Sequence, residues 1–227
     1  MSSDTVNISE IFYSIQGEGI YTGEPTVFVR FQGCTLGCDW CDTKYTWKHE
    51  VENGMTYTEV LNEVWELHRK SGSRPMICIT GGEPLEQPDQ FDYLVKKFHQ
   101  YDYKIEVETS GLLPVPFKHN QYVDSWVVDF KTPSSKTPKT AVLSDFEHFR
   151  SQDQLKCVVK TEKDLRAVEG VLQDNYFRGT ILVSPGNPIK GTASQDWMER
   201  CAEFCKLYGY RLNLQTRKFI WGAKRGV

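Results

Sequence analysis

Apolar residues recur along the chain with two different spacings. Short runs rich in β-branched and aromatic residues end in Gly, Pro or charged residues, which predicts strands. These runs are 26–32, 76–80, 104–109, 125–131, 155–160, 180–184 and 211–215. Helical spacing is clearest over 58–70 and weaker over 89–100, 162–173 and 194–208, with Thr161 and Ser194 placed to cap the last two. This alternation predicts an α/β fold with a largely parallel sheet.

The least ordinary segments of the sequence follow predicted strands. They are the cysteine cluster at 34–41, ITGGEP at 79–84, VETSG at 107–111, the DFKTPSS stretch at 129–135 and VSPGNP at 183–188. Loops at the carboxyl ends of parallel strands lie along one edge of a sheet, so we expect these segments to share an active site. The predicted helices are too few for a complete eightfold barrel.

Composition narrows the class of function. A length of 227 residues with 39% hydrophobic, 13% aromatic and 25% charged residues fits one globular domain over 1–227. A formal net charge of −3 gives no basic surface for a phosphate backbone, so we expect a small substrate and no direct nucleic-acid binding. The sequence shows neither a signal peptide nor the roughly twenty consecutive apolar residues of a membrane span. We therefore expect a cytoplasmic protein without membrane contact.

Three of the seven cysteines, Cys34, Cys38 and Cys41, lie within eight positions. An odd total and such crowding favour metal ligation over disulfides. Gaps of three and two residues allow one loop to wrap around a single iron–sulfur cluster and leave one iron without a protein ligand. Two alternatives are a zinc site, for which His49 is the nearby histidine, and three cysteines that are neighbours by chance. Zinc usually takes four protein ligands.

The other four cysteines do not suggest a second cluster. Cys78 and Cys157 fall in apolar strand patterns, which predicts core packing. Cys201 and Cys205 are one helical turn apart and could belong to an auxiliary metal site. Two thiolates without further ligands are weak evidence for metal, so we expect this pair to pack in the core as well.

The loop C-x3-C-x2-C, with Trp40 just before its last cysteine, resembles the motif of the radical S-adenosylmethionine superfamily, and TGGEP at 80–84 resembles its GGE motif. This resemblance implies an incomplete (β/α) barrel with about six core parallel strands and few helices. It also implies a [4Fe–4S] cluster on Cys34, Cys38 and Cys41. The open iron would bind S-adenosylmethionine, which is cleaved reductively to a 5′-deoxyadenosyl radical.

Further segments are similar to the 7-carboxy-7-deazaguanine synthase family: EIFYSIQGEG at 10–19, FVRFQGC at 28–34, CDWCDTKYTW at 38–47 and LQTRKF at 214–219. This similarity implies a lyase that converts 6-carboxy-5,6,7,8-tetrahydropterin to 7-carboxy-7-deazaguanine with loss of ammonia, on the route to queuosine and archaeosine. It further implies Mg²⁺, a homodimer and an external electron donor such as flavodoxin.

The family resemblance also assigns roles to residues. The implied substrate-binding residues are Ile15, Gln16, Gly17, Glu18, Arg30 and Thr80, mostly within an N-terminal segment 8–33, with Arg30 on the substrate carboxylate. The implied cofactor-binding residues are Trp40, Cys41, Asp42, Gly82 and Glu83, and Thr43 is the implied magnesium ligand. Polar residues at the same edge add Glu108, Ser110, Asp129 and Lys131 to the candidates, together with Phe130.

Two departures from the family pattern and two rival functions remain. Asp129-Phe130-Lys131 stands where many relatives have Ser-Pro-Lys, and 216–227 forms a C-terminal extension whose role the sequence does not predict. A glycyl-radical enzyme activase would act on a protein partner and would not need the set Gln16, Glu18 and Arg30. A non-catalytic electron-transfer or cluster-sensing domain would be expected to ligate its cluster completely.

Overall fold

The computed structural model describes residues 4–49, 54–137, 143–188 and 190–227. Its strands are β1 (Thr5–Val6), β2 (Ile8–Ile15), β3 (Pro25–Phe31), β4 (Met55–Thr56), β5 (Met76–Gly81), β6 (Ile105–Thr109), β7 (Ser125–Phe130), β8 (Gln154–Val159), β9 (Thr180–Pro185) and β10 (Arg211–Leu212). Its α-helices are α1 (Tyr57–Lys70), α2 (Pro88–Gln100), α3 (Glu162–Asp174), α4 (Gln195–Tyr208) and α5 (Thr216–Trp221).

One eight-stranded sheet organises the chain, in the order β10-β9-β8-β7-β6-β5-β3-β2. β2 runs antiparallel to β3, and every other neighbouring pair in this sheet is parallel. The seven predicted strands and four predicted helices are therefore confirmed as elements. The prediction of an α/β incomplete barrel with few helices is confirmed as well. β2 was not predicted as a strand, because this edge strand is only partly buried along its length and shows no clear alternation.

The helix starts follow the capping chemistry expected from the sequence. The Thr161 side chain accepts a hydrogen bond from the Asp164 amide at the start of α3, and the Asp164 carboxylate reaches back to the Thr161 amide. Ser194 caps α4 in the same way through the Trp197 amide. Both predicted caps are confirmed, and they fix where the chain enters the helices that cover β8 and β9.

The core lies between the sheet and its helices and contains fully buried aromatic residues such as Phe91, Phe98 and Trp126. Cys157, Cys201 and Cys205 belong to this core, as predicted. Cys78 is also fully buried, but its neighbours are the polar side chains of Gln16 and of two glutamates, described below.

The loops after the parallel strands meet at one edge, as the sequence predicts. Gly82, after β5, packs directly on Gly33, after β3: a β-carbon at Gly82 would lie 1.9 Å from the Gly33 carbonyl oxygen. Gly33 itself has φ +102°, a conformation that favours glycine, and its amide donates to the Thr46 carbonyl at 2.7 Å. Close backbone contact therefore sets the spacing of the two motif loops. In the described part of the chain, no helix has the length and apolar character needed to cross a membrane.

Candidate active site

One cleft opens at this edge of the sheet. The predicted site residues in its wall are Ile15, Gln16, Gly17, Glu18, Arg30, Cys34, Cys38, Trp40, Cys41, Asp42, Thr43, Thr80, Glu108, Ser110, Asp129 and Lys131. Gly82, Glu83 and Phe130 are not part of the wall. For Phe130 the reason is strand alternation: its ring packs in the core, while Asp129 and Lys131 on either side face the cleft.

The cysteine loop is held open by its backbone. Cys34 and Cys41 are partly exposed and Cys38 is buried, and none is in a disulfide. Gly37 adopts φ +65°, which lets the loop turn between the first two cysteines. The Asp39 amide donates to the Ser135 carbonyl at 3.0 Å, and the Cys41 amide donates to the Cys38 carbonyl at 3.1 Å. Burial raises the pKa of Cys34 to about 11, so metal binding has to displace a proton from this thiol.

The three sulfurs of the cysteine loop are not all within 4.8 Å of one another, as ligands of a single metal ion would be. A tetrahedral zinc with bonds near 2.3 Å would hold its thiolates about 3.8 Å apart. Among the described residues, three or more metal-binding side chains come within 4.8 Å of one another at Cys78, Glu106 and Glu108, and not at the cysteine loop. His49 does not line the cleft and contacts Glu86. The donor set of three thiolates spread around one opening therefore fits an iron–sulfur cluster with an open iron.

Glu83 of the GGE motif is directed away from the cleft. Its carboxylate is fully buried and accepts hydrogen bonds from the Thr109 hydroxyl at 2.8 Å, the Leu85 amide at 3.0 Å and the Ser110 amide at 2.7 Å, and also from the Ser110 hydroxyl. Burial raises its pKa despite these donors. Glu83 thus ties the loop after β5 to the loop after β6.

The Gln16 side chain is likewise occupied within the protein. Its Nε2 donates to Glu106 and approaches the Cys78 sulfur at 3.7 Å, while its Oε1 accepts from the Gly17 amide at 2.8 Å. The residue is 2% exposed. Gln16 shapes the loop that presents Gly17 and Glu18, and its amide makes its contacts inside the protein.

Arg30 lies on β3 beside Thr80 on β5, so both point to the same face. The Arg30 Nε donates to Glu10 at 2.9 Å, and Nη1 donates to the Gly81 carbonyl at 3.3 Å. Burial lowers the pKa of Arg30, but the neighbouring Tyr45 and Glu10 outweigh it and the pKa is raised. The guanidinium is thus a fixed cation in the cleft wall, suited to a planar carboxylate. The Thr80 hydroxyl donates to Glu108 at 2.8 Å.

The two carboxylates of the group Cys78, Glu106 and Glu108, in which Glu108 is only partly buried, already have hydrogen-bond partners. Glu106 accepts from Gln16 and from the Gln154 Nε2 at 2.8 Å, and Glu108 accepts from Thr80. Burial raises the pKa of Glu106 to about 8, with the nearby charge of Glu108 as the next cause. Cys78 and Glu106 thus lie buried beneath the cleft, whereas Glu108 lines the cleft itself.

Comparisons with known proteins agree with this geometry. The Radical SAM superfamily model matches residues 28–147, more than half of the chain. The 7-carboxy-7-deazaguanine synthase of Leptospira interrogans is 30% identical with complete coverage of both chains, and that of Thermoplasma acidophilum is 34% identical over 97% of this chain and 99% of its own. The chain belongs to the 7-carboxy-7-deazaguanine synthase family of radical S-adenosylmethionine enzymes.

A crystal structure of QueE from Escherichia coli shares the fold, with a TM-score of 0.73 at 24% identity over 93% of this chain and 94% of that chain. As a 7-carboxy-7-deazaguanine synthase family member the chain is an enzyme. Its cofactors are a [4Fe–4S] cluster, S-adenosylmethionine and Mg²⁺. The cysteine loop supplies the donors for the first of these.

Several cleft residues of this family member were not singled out from the sequence. Lys156 on β8 forms an ion pair with Glu18 at 2.7 Å, and this cation outweighs burial and lowers the pKa of Glu18. In the sequence, Lys156 is indicated by being a lysine within an otherwise apolar strand. From the C-terminal extension, Arg217 forms an ion pair with Asp42, and Val227 lines the cleft. No local sequence pattern predicts these long-range contacts.

Proposed function

We propose that this enzyme converts 6-carboxy-5,6,7,8-tetrahydropterin to 7-carboxy-7-deazaguanine with loss of ammonia, in the biosynthesis of 7-deazapurines such as queuosine. The observation that carries the proposal is that the cysteine loop and the cation Arg30 line the same cleft. A cluster-binding loop thereby faces a carboxylate-binding group across one opening. A cluster held by Cys34, Cys38 and Cys41, together with S-adenosylmethionine, would supply radical chemistry at this opening.

Charged residues at separate points of the cleft would orient the pterin. Arg30 would hold the substrate carboxylate, and Glu18 would accept hydrogen bonds from ring N–H groups because its ion pair with Lys156 keeps it ionised. Phe12 and Phe28 also line the cleft, with their rings stacked 5.0 Å apart, and they offer an apolar wall for a flat ring. The N-terminal segment 8–33 thus supplies most of the proposed substrate contacts.

The cofactor side of the cleft has different chemistry. The Lys131 ammonium forms an ion pair with Asp129 and lies 5.2 Å from the centre of the Trp40 ring, and the buried Trp40 indole N–H has no hydrogen-bond partner within the described chain. A buried donor without a partner is costly, so it marks a position where a ligand would be stabilised. We propose that Trp40, Asp129 and Lys131 contact S-adenosylmethionine, with Cys41, Asp42, Glu108 and Ser110 nearby.

Thr43 is the proposed magnesium ligand. It lines the cleft, and its hydroxyl lies 3.4 Å from the Cys41 sulfur. A single neutral oxygen cannot hold Mg²⁺ alone, so substrate oxygens and water would complete the octahedral shell. Mg²⁺ would then be retained only together with substrate, and the Mg²⁺ requirement should be lost or weakened in Thr43→Val.

The test is an anaerobic assay of ammonia release from the carboxytetrahydropterin with reductant and S-adenosylmethionine. Arg30→Ala should lower kcat/KM by about 10- to 100-fold, because a charged hydrogen bond is worth roughly 1.5–3 kcal/mol, while iron content stays unchanged. Arg69→Ala is the matched control, since Arg69 is an exposed arginine on α1 paired with Glu66.

The same assay separates the rival functions. A chain that cleaves S-adenosylmethionine with an intact cluster but releases no ammonia from the pterin would contradict the proposal and favour the glycyl-radical activase. A chain that holds a cluster but never cleaves S-adenosylmethionine would favour the electron-transfer domain. Arg30→Ala with unchanged kinetics would overturn the role of Arg30 alone.

We also propose, from family membership, that an external electron-transfer protein such as flavodoxin reduces the cluster and that the enzyme is a homodimer. Light scattering of the reconstituted protein measures the mass directly, and a mass of one chain at micromolar concentration would contradict the second statement. Replacement of the chemical reductant by a reduced flavodoxin in the ammonia assay tests the first.

A further inference from the structure

Glu86 connects the loop after β5 to the cysteine loop. It ends a short 3₁₀ turn, Pro84–Glu86, directly after the GGE motif. Its Oε1 accepts two hydrogen bonds from a single residue, Thr35: the amide donates at 3.0 Å and the hydroxyl at 2.5 Å. Its Oε2 lies 3.3 Å from the His49 Nε2. The Glu86 side chain is only 12% exposed, whereas Thr35 lies at the surface.

Thr35 immediately follows Cys34, so its position and the position of the cysteine are coupled by one peptide bond. The loop from Cys34 to Cys38 contains Gly37 and follows Gly33, and both glycines have positive φ. Glycine loses more conformational entropy than other residues when it is ordered, so this loop is costly to hold in one conformation without restraints. Because the Thr35 amide and hydroxyl both donate to the same Glu86 oxygen, the contact fixes the Thr35 backbone as well as its side chain. The Glu86 carboxylate therefore restrains the first half of the loop.

The second half of the loop is restrained from another element. The Asp39 amide donates to the Ser135 carbonyl, and the exposed Lys136 ammonium lies 3.2 Å from the Asp39 carboxylate. The two restraints come from different segments, one after β5 and one after β7. Loss of either would leave one end of the three-cysteine loop tied to the scaffold.

We propose that Glu86 is a positioning residue for the iron–sulfur cluster: through Thr35 it holds Cys34 where it can keep its iron. The role is geometric, because a negative charge beside Cys34 disfavours its thiolate form and so opposes ligation electrostatically. A neutral side chain of the same shape should then work as well. Glu86→Gln keeps an oxygen for both Thr35 donors, whereas Glu86→Ala removes it.

The experiment uses the full chain reconstituted anaerobically with iron and sulfide. Iron loss to an iron(II) chelator is followed by the visible absorbance of the cluster, and the reduced cluster is examined by electron paramagnetic resonance. Glu86→Ala should lose iron about tenfold faster than the original protein, which corresponds to about 1.4 kcal/mol. Glu86→Gln should stay within about threefold of the original rate.

A double-mutant comparison isolates the contact. Thr35→Val removes the hydroxyl and should accelerate iron loss, but Thr35→Val combined with Glu86→Ala should be no faster than Glu86→Ala alone. Glu66→Ala, at an exposed position of α1, is the matched control and should not change the rate. Circular dichroism checks that each variant is folded.

Equal rates for Glu86→Ala and the original protein would overturn the proposal. A rate for Glu86→Gln as fast as that for Glu86→Ala would also overturn it, because charge rather than geometry would then be responsible. Additive effects of Thr35→Val and Glu86→Ala would show that the two residues act separately. None of these measurements requires turnover of the pterin, so failure of the proposed substrate assignment would leave this test intact.

Discussion

Replacement of Glu106 by glutamine should change how the stability of the protein depends on pH. Glu106 lies on β6 with no exposed surface, beneath the substrate side of the cleft. Burial, together with the charge of Glu108, raises its pKa from 4.5 to about 8, even though Gln16 and Gln154 donate hydrogen bonds to it. Glutamine has nearly the same shape and cannot ionise, so the change removes the titration and keeps the volume.

The sign and size of the effect follow from proton linkage. Between pH 4.5 and about 8 the folded chain retains a proton on Glu106 that the unfolded chain has lost. The contribution of Glu106 to the free energy of unfolding is therefore fully present below pH 4.5 and is lost as the pH rises to about 8. The slope cannot exceed about 1.4 kcal/mol per pH unit, and about 5 kcal/mol over the whole interval is an upper bound.

Urea unfolding of the cluster-free protein under reducing conditions, at intervals from pH 5.5 to 7.5, measures this directly. The free energy of unfolding of the original protein should fall relative to Glu106→Gln by up to about 3 kcal/mol across these two pH units. Glu66→Gln, at an exposed position on α1, should run parallel to the original protein. Parallel curves for Glu106→Gln would show that Glu106 is ionised in the folded protein and would refute the reasoning.

Two further changes test the packing and charge of the site. Gly82→Ala places a β-carbon 1.9 Å from the Gly33 carbonyl oxygen, so reconstitution of this variant should give much less iron per chain. Gly170→Ala in α3 is the control, because its β-carbon meets no atom within 4 Å. This second change should raise the free energy of unfolding by up to about 1 kcal/mol. Lys156→Met removes the cation beside Glu18, so the pKa of Glu18 should rise. The acid limb of the pH profile of kcat/KM for ammonia release should then move to higher pH. An unmoved limb would exclude Glu18 as an ionised contact to the substrate.

The strands and helices could be predicted because the residues that define each of them are close together in the sequence. Each parallel strand is a short apolar run with its own boundaries, and Thr161 and Ser194 lie within a few residues of the amides they cap. The edge strand β2 was harder to predict because one of its sides has no neighbouring strand in the sheet, and its burial pattern is mixed. The alignment of the motifs along one edge followed from the parallel topology alone.

The direction of individual side chains was not predictable, because it depends on partners far away in the sequence. Besides the nearby Leu85 amide, Glu83 accepts from donors 26 and 27 residues later, and Gln16 donates to a carboxylate 90 residues later. Lys156 reaches Glu18 across the sheet. A motif identifies which loop belongs to the site, but the pairing of buried polar groups decides which of its side chains face the ligand.

This pairing changes how loss of activity should be interpreted in this family member. Glu83 and Gln16 satisfy their hydrogen-bonding groups inside the protein, so substitutions there would leave buried donors or acceptors without partners and would displace loops that carry Ser110 and Glu18. Lost activity at Glu83 or Gln16 would follow from either ligand contact or loop position. Arg30 and Lys156 differ from Glu83, because both residues line the cleft and a change in substrate kinetics with unchanged iron content reports on the ligand.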